Sequence, residues 1–146
     1  MTDIVDKQTR SQMMAGIKGK NTKPELVLRR ALHARGLRFR LHAENVAGKP
    51  DLLFPKFKAA VFVNGCFWHR HGCRYTTTPS TRADFWEKKF SGNVARDLAV
   101  AENLAKAGWR IAIVWECAVR NPEGVTKTAD QLYEWLKSAH EKIEIG

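Results

Sequence analysis

A chain of 146 residues with 25 Lys and Arg against 15 Asp and Glu carries a formal charge of +10, the footprint of a polyanion binder, and a domain of this size buries roughly two-thirds of the surface its unfolded form exposes. Three cysteines leave one thiol over from any intramolecular pairing, the start Met1-Thr2-Asp3-Ile4-Val5-Asp6 lacks a basic, apolar and cleavage-site succession, and no apolar run approaches the ~20 residues that span a bilayer. Disulfide scaffolds, secreted proteins and membrane proteins are set aside, and residues 1–146 read as a single cytoplasmic, reduced domain with no membrane partner.

Residues 7–22 are polar and basic, with Met13, Met14 and Ile17 interspersed and Gly16 and Gly19 opposing a long helix. They predict a short helix in a flexible arm, residues 1–20, that orders only on a partner. Asn21-Thr22-Lys23-Pro24-Glu25 predicts a helix start, with Thr22 or Lys23 at the cap, Leu26, Leu28 and Leu32 following, and Gly36 as the stop. The alternation Leu37-Arg38-Phe39-Arg40-Leu41-His42 predicts a half-exposed strand, Gly48-Lys49-Pro50 a turn, 51–54 a short strand, and 59–64 a strand buried on both faces. A Thr-, Pro- and Ser-rich loop over 76–81 leads into a long helix from about 82 to 107, weak at Gly92 and stopped at Gly108. Residues 109–115 predict the strongest strand, and 127–142 a last helix with Leu132, Trp135, Leu136 and Ala139 on one stripe. With the first three strands as a meander and the fourth joined by a helical crossover, the fold class is α/β: a mixed sheet flanked by helices.

The run Cys66-Phe67-Trp68-His69-Arg70-His71-Gly72-Cys73 begins where the central strand ends, and Cys117 follows the end of the strongest one. Cys66, His71, Cys73 and Cys117 make a Cys3His set that uses every thiol in the chain and suits a closed, structural Zn2+ site. His69 is left over, in a loop the metal would hold in place.

Phosphodiester hydrolysis needs an anionic ligand for a divalent cation and a group that activates water. Asp51 follows Pro50 at a strand start and Glu25 lies one turn into the first helix. Pro50-Asp51 followed by strand 59–64 resembles the Asp half of the PD-(D/E)xK nuclease core, the restriction-endonuclease-like fold. Where that core has an acidic residue, a spacer and a lysine, this chain has Phe62-Val63-Asn64. Val63 then offers only its carbonyl, a Mg2+ on Asp51 keeps several waters, and a neutral His69 can take a proton from one of them.

Beyond these motifs, Asp6-Lys7 through Thr9-Arg10-Ser11, Gly48-Lys49-Pro50-Asp51, Asn64-Gly65-Cys66 through Cys73, Thr81-Arg82 through Phe85-Trp86, Asn93-Val94 with Arg96-Asp97, and Gly108-Trp109-Arg110 through Cys117-Ala118 closely resemble the very-short-patch-repair DNA mismatch endonucleases. The resemblance implies a Mg2+-dependent nickase that cuts one strand 5′ of the thymine in a T:G mismatch left by 5-methylcytosine deamination. It implies Asp51 as metal-binding carboxylate, His69 as base and Glu25 as accessory acid, with zinc on Cys66, His71, Cys73 and Cys117. Phe67, Trp68 and Trp86 match the family's wedge positions, and Met14 and Ile17 fall in the part of the arm that enters the opposite groove; packing on the long helix is an equal reading for Trp86. Family members often have a histidine, assisting at the scissile phosphate, where this chain has Asn64, which cannot carry a proton. Double-stranded DNA with a T:G mismatch is the implied partner, with mismatch-repair factors beside it and a monomer as the working unit. A zinc-stabilised restriction-type nuclease cutting matched sites and a non-catalytic DNA-binding module are the alternative readings.

Overall fold

The computed structural model describes residues 22–43, 45–66, 69–73 and 81–146; Met14 and Ile17 of the arm, the pair Phe67 and Trp68, and most of the loop at 76–81 lie outside the described residues. Helix α1 (Lys23–Ala34) starts after Thr22 with Pro24 in its first turn, where a missing N–H costs nothing, and buries Glu25, Leu28 and Leu32. Strands β1 (Arg40–Leu41), β2 (Leu52–Phe54) and β3 (Ala59–Asn64) form the expected antiparallel meander. Helix α2 (Ala83–Lys106) crosses to β4 (Arg110–Trp115), which runs parallel to β3 over its full length. The result is the expected mixed sheet, order β1-β2-β3-β4-β5, flanked by helices.

Three expectations are corrected. The last helix, α3, spans Pro122–Lys137 rather than 127–142, because Asn121 caps it by accepting from the Gly124 N–H at 2.7 Å and Pro122 suits the first helical position. Ala139 therefore falls beyond the helix, and Lys142–Ile145 forms a fifth strand, β5, parallel to β4. The strand expected over 37–42 shortens to Arg40–Leu41; His42 turns into the left-handed region at φ 46° while its N–H keeps its bond to the Asp51 carbonyl. Gly92 lies on the exposed side of α2 and does not interrupt it.

The alternation of β3 places apolar groups on both faces. Ala59 and Val61 join Leu28, Leu32, Leu132, Trp135 and Leu136 under α1 and α3, while Ala60 joins Leu53, Leu104 and Ile111 under α2. Arg110 ties the two ends of the sheet's far half together: its guanidinium donates to the carbonyls of Trp135, Leu136, Ser138 and His140 and stacks on the Trp135 ring, satisfying the carbonyls that the end of α3 leaves open.

Candidate active site and metal centre

Asp51 stands at the mouth of β2, after the turn through Gly48. That glycine has φ 78°, and a side chain there would run into Val100 of α2, so the turn is pressed against the helix. The Asp51 carbonyl accepts from the His42 N–H at 3.1 Å, and its carboxylate Oδ2 accepts from the Val63 N–H at 2.7 Å. Glu25, 1% exposed, comes from α1; its Oε2 accepts from Arg29 at 3.0 Å and from His42 Nε2 at 2.9 Å. One ligand atom from each of Glu25, His42 and Asp51 lies within 4.8 Å of the others.

Burial raises the Asp51 carboxyl from its ordinary 3.8 to about 6; the Val63 N–H opposes the rise and the neighbouring Glu25 charge adds to it. With no divalent cation present, the folded protein holds this proton more tightly than the unfolded chain, so its stability falls as the pH rises from about 4 through about 6 and levels off above that. The gap corresponds to about 3 kcal/mol, fully felt above pH 7 and nearly absent at pH 4. Asp51→Asn, which keeps the Val63 hydrogen bond without the charge, is expected to stabilise the chelator-treated protein at pH 8 and hardly at pH 4. Urea unfolding at the two pH values checks it; equal shifts at both would contradict the assignment.

His69 is not a member of that cluster. It sits in the turn after β3, where its N–H donates to the Gly65 carbonyl at 3.1 Å, and its Nδ1 lies 2.5 Å from Oδ2 of Asp97 on α2. A carboxylate only accepts, so the Nδ1 carries the proton and a neutral ring keeps its lone pair on Nε2, the atom free to take a proton. Asn64 ends β3, half-buried beside Trp115 of β4 in the ladder.

Cys66, His71, Cys73 and Cys117 converge as expected, their ligand atoms within 4.8 Å of one another. His71 Nδ1 lies 3.6 Å from both Cys66 Sγ and Cys117 Sγ. Tetrahedral zinc with bonds of about 2.3 Å to sulfur and 2.0 to 2.1 Å to nitrogen separates those atoms by about 3.6 Å, so the set fits that ion. Without a cation, burial first, and the neighbouring thiols next, push Cys66 up to about 12; Cys117 is raised by burial as well. A bound divalent ion reverses this and holds the thiolates ionised. The His71 ring stacks on Trp115 at 4.2 Å, and the Trp115 indole N–H donates to Glu144 of β5 at 3.1 Å. Glu116 accepts from the Cys66 N–H at 3.3 Å.

Trp86 is half-buried on α2, stacked on Phe90 at 5.6 Å and edge-on to Phe85 at 5.3 Å. Arg70 lies over the other aromatic of this group, its guanidinium 4.1 Å from the Phe90 centroid. The packing reading of Trp86 thus has a partner on its own helix.

A profile of the DNA mismatch endonuclease Vsr family matches residues 2–75. The chain is 40% identical over 138 residues to the DNA mismatch endonuclease Vsr of Escherichia coli K12, spanning 93% of this chain and 88% of that protein. The chain belongs to the Vsr family. It is also 45% identical to the type II nicking enzyme V.XorIIP of Xanthomonas oryzae pv. oryzae, across 80% of this chain and 86% of that enzyme. To the type II nicking enzyme V.NmeAIP of Neisseria meningitidis serogroup A it is 37% identical, across 95% and 99%.

This Vsr-family protein is a DNA endonuclease, and DNA is its partner. Among the described residues no helix is long and apolar enough to cross a membrane. Of the residues these contacts bring in, His42 carries no signal in the sequence and passes there as an outward strand residue, while Asp97 and Trp115 lie in stretches that resemble the family but have no role attached to them there; each acquires its contact only through tertiary packing.

Proposed function

We propose that this Vsr-family endonuclease is a Mg2+-dependent nickase that cuts one strand 5′ of the thymine in a T:G mismatch arising from deamination of 5-methylcytosine. The observation that carries it is the buried pairing of Glu25 with Asp51, an arrangement that disfavours two ionised carboxylates unless a cation joins them. Similarity to a protein named DNA mismatch endonuclease supports the substrate.

In this reading Asp51 and the Val63 carbonyl hold Mg2+, which supplies charge neutralisation at the scissile phosphate. Glu25 is the accessory acid beside Asp51, its Oε2 held by Arg29 and His42. His69, with Asp97 on its Nδ1, accepts the proton of the attacking water at Nε2. Asn64 hydrogen-bonds near the phosphate without moving a proton. The Cys3His set holds a structural zinc that braces the loop carrying His69 and the wedge pair Phe67 and Trp68. Trp86 adds to the wedge, Met14 and Ile17 approach from the other groove, and mismatch-repair factors follow the monomeric enzyme; these assignments rest on family resemblance.

Incubation with Mg2+ and duplexes that differ only in T:G against T:A, resolved on a denaturing gel, tests the reading. A single nick confined to the strand that carries the mispaired thymine is expected. Equal cutting of both strands of the matched duplex would instead favour a restriction-type nuclease, and binding without cutting a non-catalytic module. Asp97→Asn, which removes the charge that fixes the His69 tautomer, is expected to slow single-turnover nicking roughly 10- to 100-fold with DNA affinity unchanged. A variant as fast as wild type would remove Asp97 from the mechanism.

A further inference from the structure

His42 has no part in the chemistry above, yet the fold goes to some length to present it. Its backbone adopts φ 46°, a left-handed conformation that histidine takes more readily than most residues, while its N–H remains bonded to the Asp51 carbonyl. The turn lifts the ring off the strand and sets it, 13% exposed, against Glu25. Its Nε2 is 2.9 Å from Glu25 Oε2. That separation suits a hydrogen bond, and it equally suits two neighbouring ligands of one octahedral ion, which bonds of about 2.1 Å place about 3.0 Å apart. Glu25, Asp51 and the Arg29 guanidinium on Glu25 together leave one net negative charge for a cation to meet.

We propose that Glu25, His42 and Asp51 form a mixed imidazole and carboxylate site that takes a first-row transition-metal ion, with Mn2+ as its probe, in preference to Mg2+. The inference deepens the reading of Asp51 as the metal-binding carboxylate and rests on it. Mg2+ is hard, gives up its waters reluctantly and gains little from imidazole, whereas nitrogen donors favour the transition-metal ions. On binding, the Nε2 proton now donated to Glu25 passes through solvent to Nδ1, and the lone pair it uncovers becomes the ligand. A glutamine at this position could still hydrogen-bond Glu25 but would withdraw the nitrogen donor.

The test uses the full-length, zinc-loaded protein and follows free Mn2+ by its electron paramagnetic resonance signal, with Mg2+ as competitor. Wild type is expected to hold one Mn2+ at this site, and His42→Gln to weaken Mn2+ binding about tenfold or more while Mg2+ binding moves less than about threefold. Should the variant fail to fold, paramagnetic broadening of the His42 ring resonances by substoichiometric Mn2+ in wild type decides the same point. An unchanged Mn2+ to Mg2+ preference in His42→Gln, or an unbroadened His42 ring with Mn2+ bound, overturns the inference alone and leaves His42 as the hydrogen-bond partner of Glu25. A wild-type protein that binds neither ion overturns this inference and the metal-dependent reading together.

Discussion

Asp51→Ala is expected to abolish nicking of a T:G duplex while leaving mismatch binding nearly intact. The substitution removes the Asp51 carboxylate and its bond from the Val63 N–H, and leaves every Lys and Arg that can meet phosphates in place. Unfolding does not account for such a loss, because burial makes the ionised Asp51 a cost to the folded state above pH 6. The variant should therefore unfold no earlier than wild type at pH 8 in the absence of divalent cations. Single-turnover gels with saturating enzyme separate chemistry from binding. Retained Mg2+-dependent cutting in Asp51→Ala would end the mechanism proposed for this site, and a parallel loss of binding would mean that the aspartate shapes the DNA surface instead.

Cys117→Ser is expected to strip the second metal. Purified wild type should contain one zinc per chain, and the variant should lose it to a chelator at concentrations that leave wild type loaded, a drop in affinity of more than about 100-fold, the upper range for losing a partner merely adjacent to a ligand. Structural zinc contributes on the order of 10 kcal/mol of binding free energy in small domains. Here the sheet has two apolar cores of its own, so the effect should be local. Hydrogen exchange at residues 65–73 should quicken, because the turn bonds from His69 to Gly65 and from His71 to Cys66 lose the anchor that Cys117 supplies from the end of β4. The amides of β3 and β4 should keep their protection. Nicking should fall with the loop, since it carries His69. Full zinc content and unaltered exchange in the variant would remove Cys117 from the metal centre.

The Cys3His set was legible in the sequence because it is a matter of inventory: three thiols, all at loop positions, with a histidine at a suitable interval. The central strands were legible for a related reason. Ala59–Asn64 and Arg110–Trp115 are continuous apolar runs bounded by turn residues, and a strand covered on both faces needs no alternation to be recognised. The C-terminal segment misled because its apolar stripe, Leu132, Trp135, Leu136 and Ala139, continues with helical spacing past the true end. Local pattern could not reveal that Arg110 seals the helix near Ser138, nor that the exposed edge Lys142–Ile145 would find a partner in β4. The Asn121-Pro122 cap was the overlooked signal.

The active-site cluster divides in the same way. That the chain is basic, sets Asp51 after a proline at a strand start and carries three cysteines with a histidine at a suitable interval follows from charge, residue type and spacing, which are properties of the chain in any conformation, while its being a DNA endonuclease follows from its likeness to the Vsr family. The company those residues keep is another matter. His42 reaches Glu25 across 17 positions and His69 reaches Asp97 across 28. Both pairings need a left-handed turn or a helix laid over the sheet to bring them within 3 Å, and the raised proton affinity of Asp51 arises only once water is excluded around it. Hydrogen-bond geometry and desolvation depend on distances through space, and those are set by the packing of α1 and α2 against opposite faces of one sheet.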